Sequence, residues 1–211
     1  MTAAAGRTGR PPLTEERKAE IRLEIARVAV DLFVAQGVAA TTGEQIGRAV
    51  GISARTVWRY FPSKEACVRP LFAAGIEAVA DGLRAWRPGR PLEDALECAV
   101  MDGSLVHSPD HATMGALIRL TRSEPGLRAE WLQSYDEAEP AFARALAERA
   151  GVPADDLRTT IQAAALNAAL RAGAEYHVWR VADRTVAAAT AEAEFRATLR
   201  AALATVAGGL S

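Results

Sequence analysis

Cysteine is scarce. The chain contains two, Cys67 and Cys98, too few for a disulfide framework and in keeping with a reducing cytoplasm. Both read as small buried apolar residues, although Arg69 stands near Cys67. No apolar run approaches the ~20 residues that span a bilayer; even the alanine-rich stretch from Ile161 to Ala172 is broken by Gln162, Asn167 and Arg171. The start, Met1 to Arg10, has two arginines but no apolar run after them and does not read as a signal peptide, so none is expected. Also missing are a P-loop, G-x-G-x-x-G, H-E-x-x-H, G-x-S-x-G and paired E-x-x-H, so an enzyme would lack a site. His107 and His111 flank Asp110, but Pro109 breaks the helix that would align them on a metal. The expectation is a cytoplasmic protein, outside membranes, that is no enzyme and holds no cofactor or metal.

Alanine is abundant instead, at 47 of 211 residues, while aromatics make up 6%. Alanine is the strongest helix former and aromatic residues favour strands, so the composition predicts an all-α fold. Charge is unevenly distributed. Residues 1–72 hold eleven Lys/Arg against seven Asp/Glu, a balance of +4; residues 73–211 hold fourteen against nineteen, a balance of −5; together they give the net −1. A basic N-terminal part can meet a polyanion while the acidic remainder stays away from it, which makes nucleic acid the first partner to consider.

Residues 1–13 are small and polar, with Pro11 and Pro12 just before Thr14, and read as a flexible basic arm. Thr14 is a candidate N-cap, Ile21, Ile25, Val28, Ala29, Leu32 and Phe33 form one helical stripe, and Gly37 follows as a stop. The first helix is therefore expected over Thr14–Gln36. Thr42 and Gln45 form a T-x-x-Q capping box ahead of Ile46 and Val50, with Gly51 as terminator. Ser53 caps a third short helix through about Phe61, and Pro62 with Ser63 closes it. Two short capped helices around Gly51-Ile52 form a helix-turn-helix.

Val57 and Phe61, four apart, share the core face of the third helix; Arg55 and Arg59 lie nearly opposite and Trp58 to one side. An outward face of two arginines and a tryptophan suits a surface that meets something. Arginine can pair with guanine edges or phosphates, Thr56 with phosphate or a thymine methyl, and tryptophan with sugars and base methyls. Thr42 and Lys64, at helix starts where free N–H groups favour anions, are candidate phosphate contacts, as is the Tyr60 hydroxyl.

These residues carry a resemblance. The runs Thr41-Thr42-Gly43-Glu44-Gln45-Ile46-Gly47, Val50-Gly51-Ile52-Ser53 and Thr56-Val57-Trp58-Arg59-Tyr60-Phe61-Pro62-Ser63-Lys64-Glu65 resemble the DNA-binding domain of the TetR family of bacterial transcriptional regulators, over about residues 15–66. Gly47 departs from the alanine usual there, and Trp58 from the more frequent Tyr or Phe. The resemblance implies an all-α homodimer with a three-helix DNA-binding domain (14–62) and a larger helical domain (63–211) for ligand binding and dimerisation. It further implies a repressor on a palindromic operator in double-stranded DNA, released by a small-molecule effector. Two other readings use the same residues: a helical small-molecule enzyme, or a protein-interaction module, each with an incidental helix-turn-helix. The outward Arg55/Trp58/Arg59 face speaks against both.

Beyond Lys64 the pattern predicts a helix to Trp86 with Pro70 as an irregularity, a linker at Arg87–Pro91, and helices over Leu92–Val106, Ala112–Ser123, Leu127–Ala150 interrupted at Pro140, Ala154–Val181 and Thr185–Ala207. In the family the last two long helices form the dimer's four-helix bundle, and their alanine richness here fits close approach. Ligand-binding candidates are Trp86, Met101, Met114, Trp131, Tyr135, Asn167, Arg171, Tyr176 and Trp179. Asn167 and Arg171 share a helix face and could hold a carboxylate or carbonyl, or Arg171 could simply pair with Glu175. A mainly apolar ligand is expected.

Overall fold

A computed structural model describes residues 14–87, 89, 91–92, 110–181 and 188–207. The N-terminal arm, most of the Leu92–Val106 segment, Met101, Cys98 and His107 lie outside the described residues. Among those described the fold is all-α, with helices α1 (Glu15–Gln36), α2 (Gly43–Val50), α3 (Ala54–Tyr60), a 3₁₀ turn (Glu65–Val68), α4 (Arg69–Ala85), α5 (His111–Leu120), α6 (Pro125–Ala150), α7 (Leu157–Val181) and α8 (Ala188–Ala207). Among them no helix is long and apolar enough to cross a membrane.

The first three helices begin and end on local chemistry. Thr14 accepts the Arg17 amide at 3.2 Å, and Gly37, at φ 86°, closes α1. In the expected stripe Ile25, Ala29 and Phe33 are buried, while Ile21, Val28 and Leu32 are half-buried.

Further along, four expectations need correction. The helix expected from Lys64 opens instead as a 3₁₀ turn, and the α-helix starts only at Arg69, with Pro70 in its first turn. Proline fits there because a first-turn amide has no intrahelical acceptor to lose. Pro140 does not interrupt α6, which runs unbroken to Ala150. Pro140 and Asp136 both lie on the exposed side, where water can satisfy the Asp136 carbonyl that the missing N–H leaves free. Helix α7 begins at Leu157, three residues later than expected, because the Asp156 carboxylate caps it by accepting the Thr159 amide at 3.0 Å. Similarly, α5 ends at Leu120, where the Thr121 hydroxyl turns back onto the Ile118 carbonyl.

Two apolar clusters hold the helices together. One joins Ile25 and Phe33 of α1, Ile46 of α2 and Val57 of α3 to Phe72 of α4, Leu117 of α5, Trp131 of α6 and Val178 of α7. The other joins Leu83 of α4, Phe142 of α6, Leu166 of α7 and Leu199 of α8. The first cluster runs without a break from the helix-turn-helix into the long helices, so a shift of α4 or α5 is felt at α3.

Candidate nucleic-acid interface and apolar cavity

Helix α2 carries the capping box expected from its sequence: the Thr42 hydroxyl accepts the Gln45 amide, and Gln45 Oε1 accepts the Thr42 amide at 2.8 Å. Gly51, in the left-handed region at φ 76°, turns the chain, and the Ile52 amide returns to the Gly47 carbonyl at 2.8 Å. The turn passes so close that a Cβ on Gly47 would stand 2.8 Å from the Ile52 carbonyl oxygen. This is the position where the sequence departs from the family's alanine.

Ser53 caps α3, accepting the Thr56 amide at 3.2 Å, and its hydroxyl also bonds that of Thr56. Val57 is fully buried, and the opposite face leaves Arg55 and Arg59 exposed and Trp58 44% exposed. The Trp58 indole leans over Gly43 at the start of α2. The guanidinium carbons of Arg59 and of Arg22 in α1 stand 5.3 and 5.5 Å from the centroid of the Tyr60 ring, a range in which the ring quadrupole attracts a cation. Arg22 thus joins the basic surface around α3. Its sequence surroundings gave no sign of this, since the contact spans 38 residues.

Lys64 does not fit the role of a free phosphate contact. Its ammonium donates to the carbonyls of Val38 (2.5 Å), Thr41 (3.2 Å) and Ala39 (3.4 Å), tying down the loop between α1 and α2. An ammonium has three N–H groups, and all are used. Lys64→Met is therefore expected to lower stability by about 1–3 kcal/mol, read by urea unfolding, while leaving the salt dependence of DNA binding nearly unchanged. A flattened salt dependence without loss of stability would restore the phosphate role.

A partly open apolar cavity of about 100 Å³ lies among the long helices. Phe72 and Ile76 of α4, Met114 and Ile118 of α5, Trp131 and Tyr135 of α6, and Phe195 and Leu199 of α8 line it. Of the ligand candidates the structure brings together Met114, Trp131 and Tyr135. Trp131 packs edge-on against both Phe72 and Tyr135, with centroids at 4.9 and 4.7 Å. Burial pushes the Tyr135 phenol above its ordinary pKa, so it stays a neutral hydrogen-bond donor; it has no partner among the described residues.

The other candidates have other places. Arg171 pairs with Glu175 at 3.4 Å, and Asn167 donates to the Tyr135 carbonyl at 2.7 Å; neither lines the cavity. Trp86 lies at the far end of α4 beneath Arg149, whose guanidinium carbon is 3.7 Å from the ring centroid. Tyr176 is exposed beside Arg180, and Trp179 donates to the Ile118 carbonyl. Glu175, the alternative partner that the sequence offered for Arg171, is a buried carboxylate that accepts from Arg171 and also from Arg128 (2.5 Å) and the Trp131 indole (2.7 Å), two contacts that span 47 and 44 residues and that the sequence did not suggest.

Two ion pairs link the cavity's helices to their surroundings. Asp110, at the start of α5, holds Arg27 of α1 through two bonds of 2.5 and 2.9 Å. Glu130 of α6 holds Arg69 at the start of α4 at 2.5 Å.

Comparison with known proteins agrees with this architecture. Residues 25–71 match the family model for bacterial regulatory proteins of the tetR family, and residues 90–211 match the model of an MftR C-terminal domain. The chain is 37% identical over 153 residues to the HTH-type transcriptional regulator TcmR of Streptomyces glaucescens, covering 69% of this chain and 67% of TcmR. It is 28% identical over 127 residues to MftR of Mycobacterium tuberculosis (strain ATCC 25618 / H37Rv), named for the regulation of mycofactocin biosynthesis, covering 60% of this chain and 64% of that protein. In fold it is similar to the fatty acid degradation regulator FadR from Bacillus halodurans, with a TM-score of 0.56 at 17% identity over 90% of this chain and 96% of that one.

Proposed function

The chain belongs to the TetR family of bacterial regulatory proteins and is a ligand-responsive DNA-binding transcriptional regulator, not an enzyme; from this we propose that it is a repressor that grips a palindromic operator as a homodimer. One observation carries the proposal: burial of Val57 and Phe61 turns Arg55, Trp58 and Arg59 outward together on α3. Arginine forks and an indole suit major-groove edges and thymine methyls, while Thr42, Thr56 and Tyr60 supply hydroxyls for phosphates. The chain divides functionally near Pro62, with residues 14–62 for DNA and 63–211 for the effector and the partner subunit. It works where the DNA is, in the bacterial cytoplasm.

Support for a dimer comes from α7. Leu157 and Ile161, 72% and 59% exposed, continue through Ala164, Ala168 and Ala172 to the exposed Tyr176. That stripe of apolar and small residues suits a symmetric helix pair.

The cavity is the effector's entry. It is smaller than the ~300–1,000 Å³ of typical ligand pockets, so a mainly apolar effector must push apart the helices that line it. Displacement of α4 passes through the 3₁₀ turn to α3, and displacement of α5 passes through Asp110 to Arg27 on α1. Release follows if the effector prefers the spread arrangement; going from 1:99 to 99:1 requires about 5.5 kcal/mol of preference. Tyr135 replaces Arg171 and Asn167 as the group that orients the effector, through a hydroxyl that has no hydrogen-bond partner among the described residues.

The test is selection of random duplex DNA by the purified chain, followed by release from the selected operator with a panel of apolar carbonyl compounds. A palindrome should be enriched. Tyr135→Phe should then raise the half-releasing concentration about 2- to 12-fold, the worth of one hydrogen bond, with operator affinity unchanged in the absence of effector. No enrichment, or enrichment of an asymmetric sequence, contradicts the proposal.

A further inference from the structure

We infer that Gly43 is a specificity-determining residue: its missing side chain is the seat of the Trp58 ring, and the seat sets the pose in which Trp58 meets DNA. A Cβ built on Gly43 would stand 1.9, 2.5 and 2.7 Å from Cζ2, Cε2 and Cη2 of Trp58. Those are bonding rather than packing distances, so the benzo edge of the indole occupies the space any other residue would fill. The two residues lie on different helices, Gly43 at the first position of α2 and Trp58 on the outward side of α3. Gly43 is buried while Trp58 keeps 44% of its surface exposed, as a ring with one edge seated and another left for a partner.

Gly43 is not there for its backbone freedom. Among the described residues the glycines of positive φ are Gly37, Gly51, Gly89 and Gly151, and Gly43 is not one of them, so alanine at 43 can adopt the existing backbone. The atoms it would meet belong to the far end of one partly exposed side chain. The ring can move where a backbone could not. Side chains occupy discrete rotamer wells, so the indole leaves its seat in one jump. Residue 43 therefore leaves the fold in place and changes the presented surface. The sequence showed the glycine but not the role, because the seat spans fifteen residues and two helices.

This inference rests on the reading of Trp58 as a base-contacting residue. Its test compares DNA selected by the wild type, G43A, W58A and G43A/W58A, with melting temperatures and affinity for unrelated DNA recorded for each. G43A should keep its melting temperature within a few degrees and its affinity for unrelated DNA within about twofold. It should bind the wild-type operator about tenfold or more weakly, the scale of a lost base contact, and enrich a different sequence. In the W58A background G43A should change nothing further. A folded G43A that enriches the wild-type operator overturns the inference, as does an equal shift of preference with and without Trp58. If W58A itself enriches the wild-type operator, the base-reading role falls first and the two failures are distinguished. Should G43A lower the melting temperature strongly, G43A/W58F decides: phenylalanine lacks the benzo edge, so this variant should melt like W58F and select the same DNA, and a persisting loss overturns the seat.

Discussion

Trp58→Ala should abolish most of the preference for the selected operator while leaving general affinity for DNA in place. Each base-edge contact is worth about 1–3 kcal/mol, and a two-fold dimer uses α3 twice, so the loss is about 2–6 kcal/mol, or roughly 30- to 20,000-fold. Binding to unrelated DNA is governed by phosphate neutralisation, which Arg55, Arg59 and Arg22 continue to supply from the same surface. Fluorescence anisotropy on operator and scrambled duplexes at one salt concentration separates the two terms. Equal losses on both would mean that Trp58 shapes the surface without reading bases.

The second large effect is expected at Glu175, which lies in the long helices and touches no part of the DNA face. Its carboxylate is buried on α7 and gathers Arg128, Arg171 and the indole of Trp131. Removing one member of a buried ionic group costs up to 3–5 kcal/mol when the remaining charge is stranded. Here the arginine side chains keep 29% and 31% of their surface in water and can turn outward. Glu175→Ala is therefore expected to cost about 3 kcal/mol in urea unfolding. Glu175→Gln, which still offers an acceptor to Trp131 Nε1, should cost less. The same substitution frees Trp131, a wall of the cavity, so the effector response should change in Glu175→Ala even at temperatures where the protein is fully folded. An unchanged stability would show that the cluster is a solvated surface pair.

What could be read from sequence divides along the range of the interactions involved. Thr14, Thr42 with Gln45, Gly51 and Ser53 act within three or four residues of themselves, and each caps or turns the chain where the pattern says. The outward face of α3 follows from two buried residues four apart. Lys64 could not be read this way: its charge and its place at a helix start suggested phosphate, while the carbonyls that hold it lie 23 to 26 residues earlier. The cavity was legible only in part for a related reason. Alanine fills the faces of α7 on every side, so the sequence does not say which face turns inward. Asn167 and Arg171 therefore looked like cavity residues, although their partners are the Tyr135 carbonyl and Glu175. Met114, Trp131 and Tyr135 were found because large apolar side chains on helices that must pack together converge with or without a known phase. Pro140 misled because its cost depends on whether water reaches the freed carbonyl, which sequence does not reveal.

In the proposed complex two copies of α3, related by a dimer axis, enter the major groove of a palindromic site. A hydroxyl-radical footprint of the purified protein on its selected operator tests this most directly. Two protected segments of equal size related by a dyad are expected, with centres one helical turn of about 34–36 Å or a multiple apart, both lost when the effector is added. A single asymmetric protected segment, or a symmetric footprint that Trp58→Ala and Arg55→Ala leave unchanged in position and strength, would contradict it.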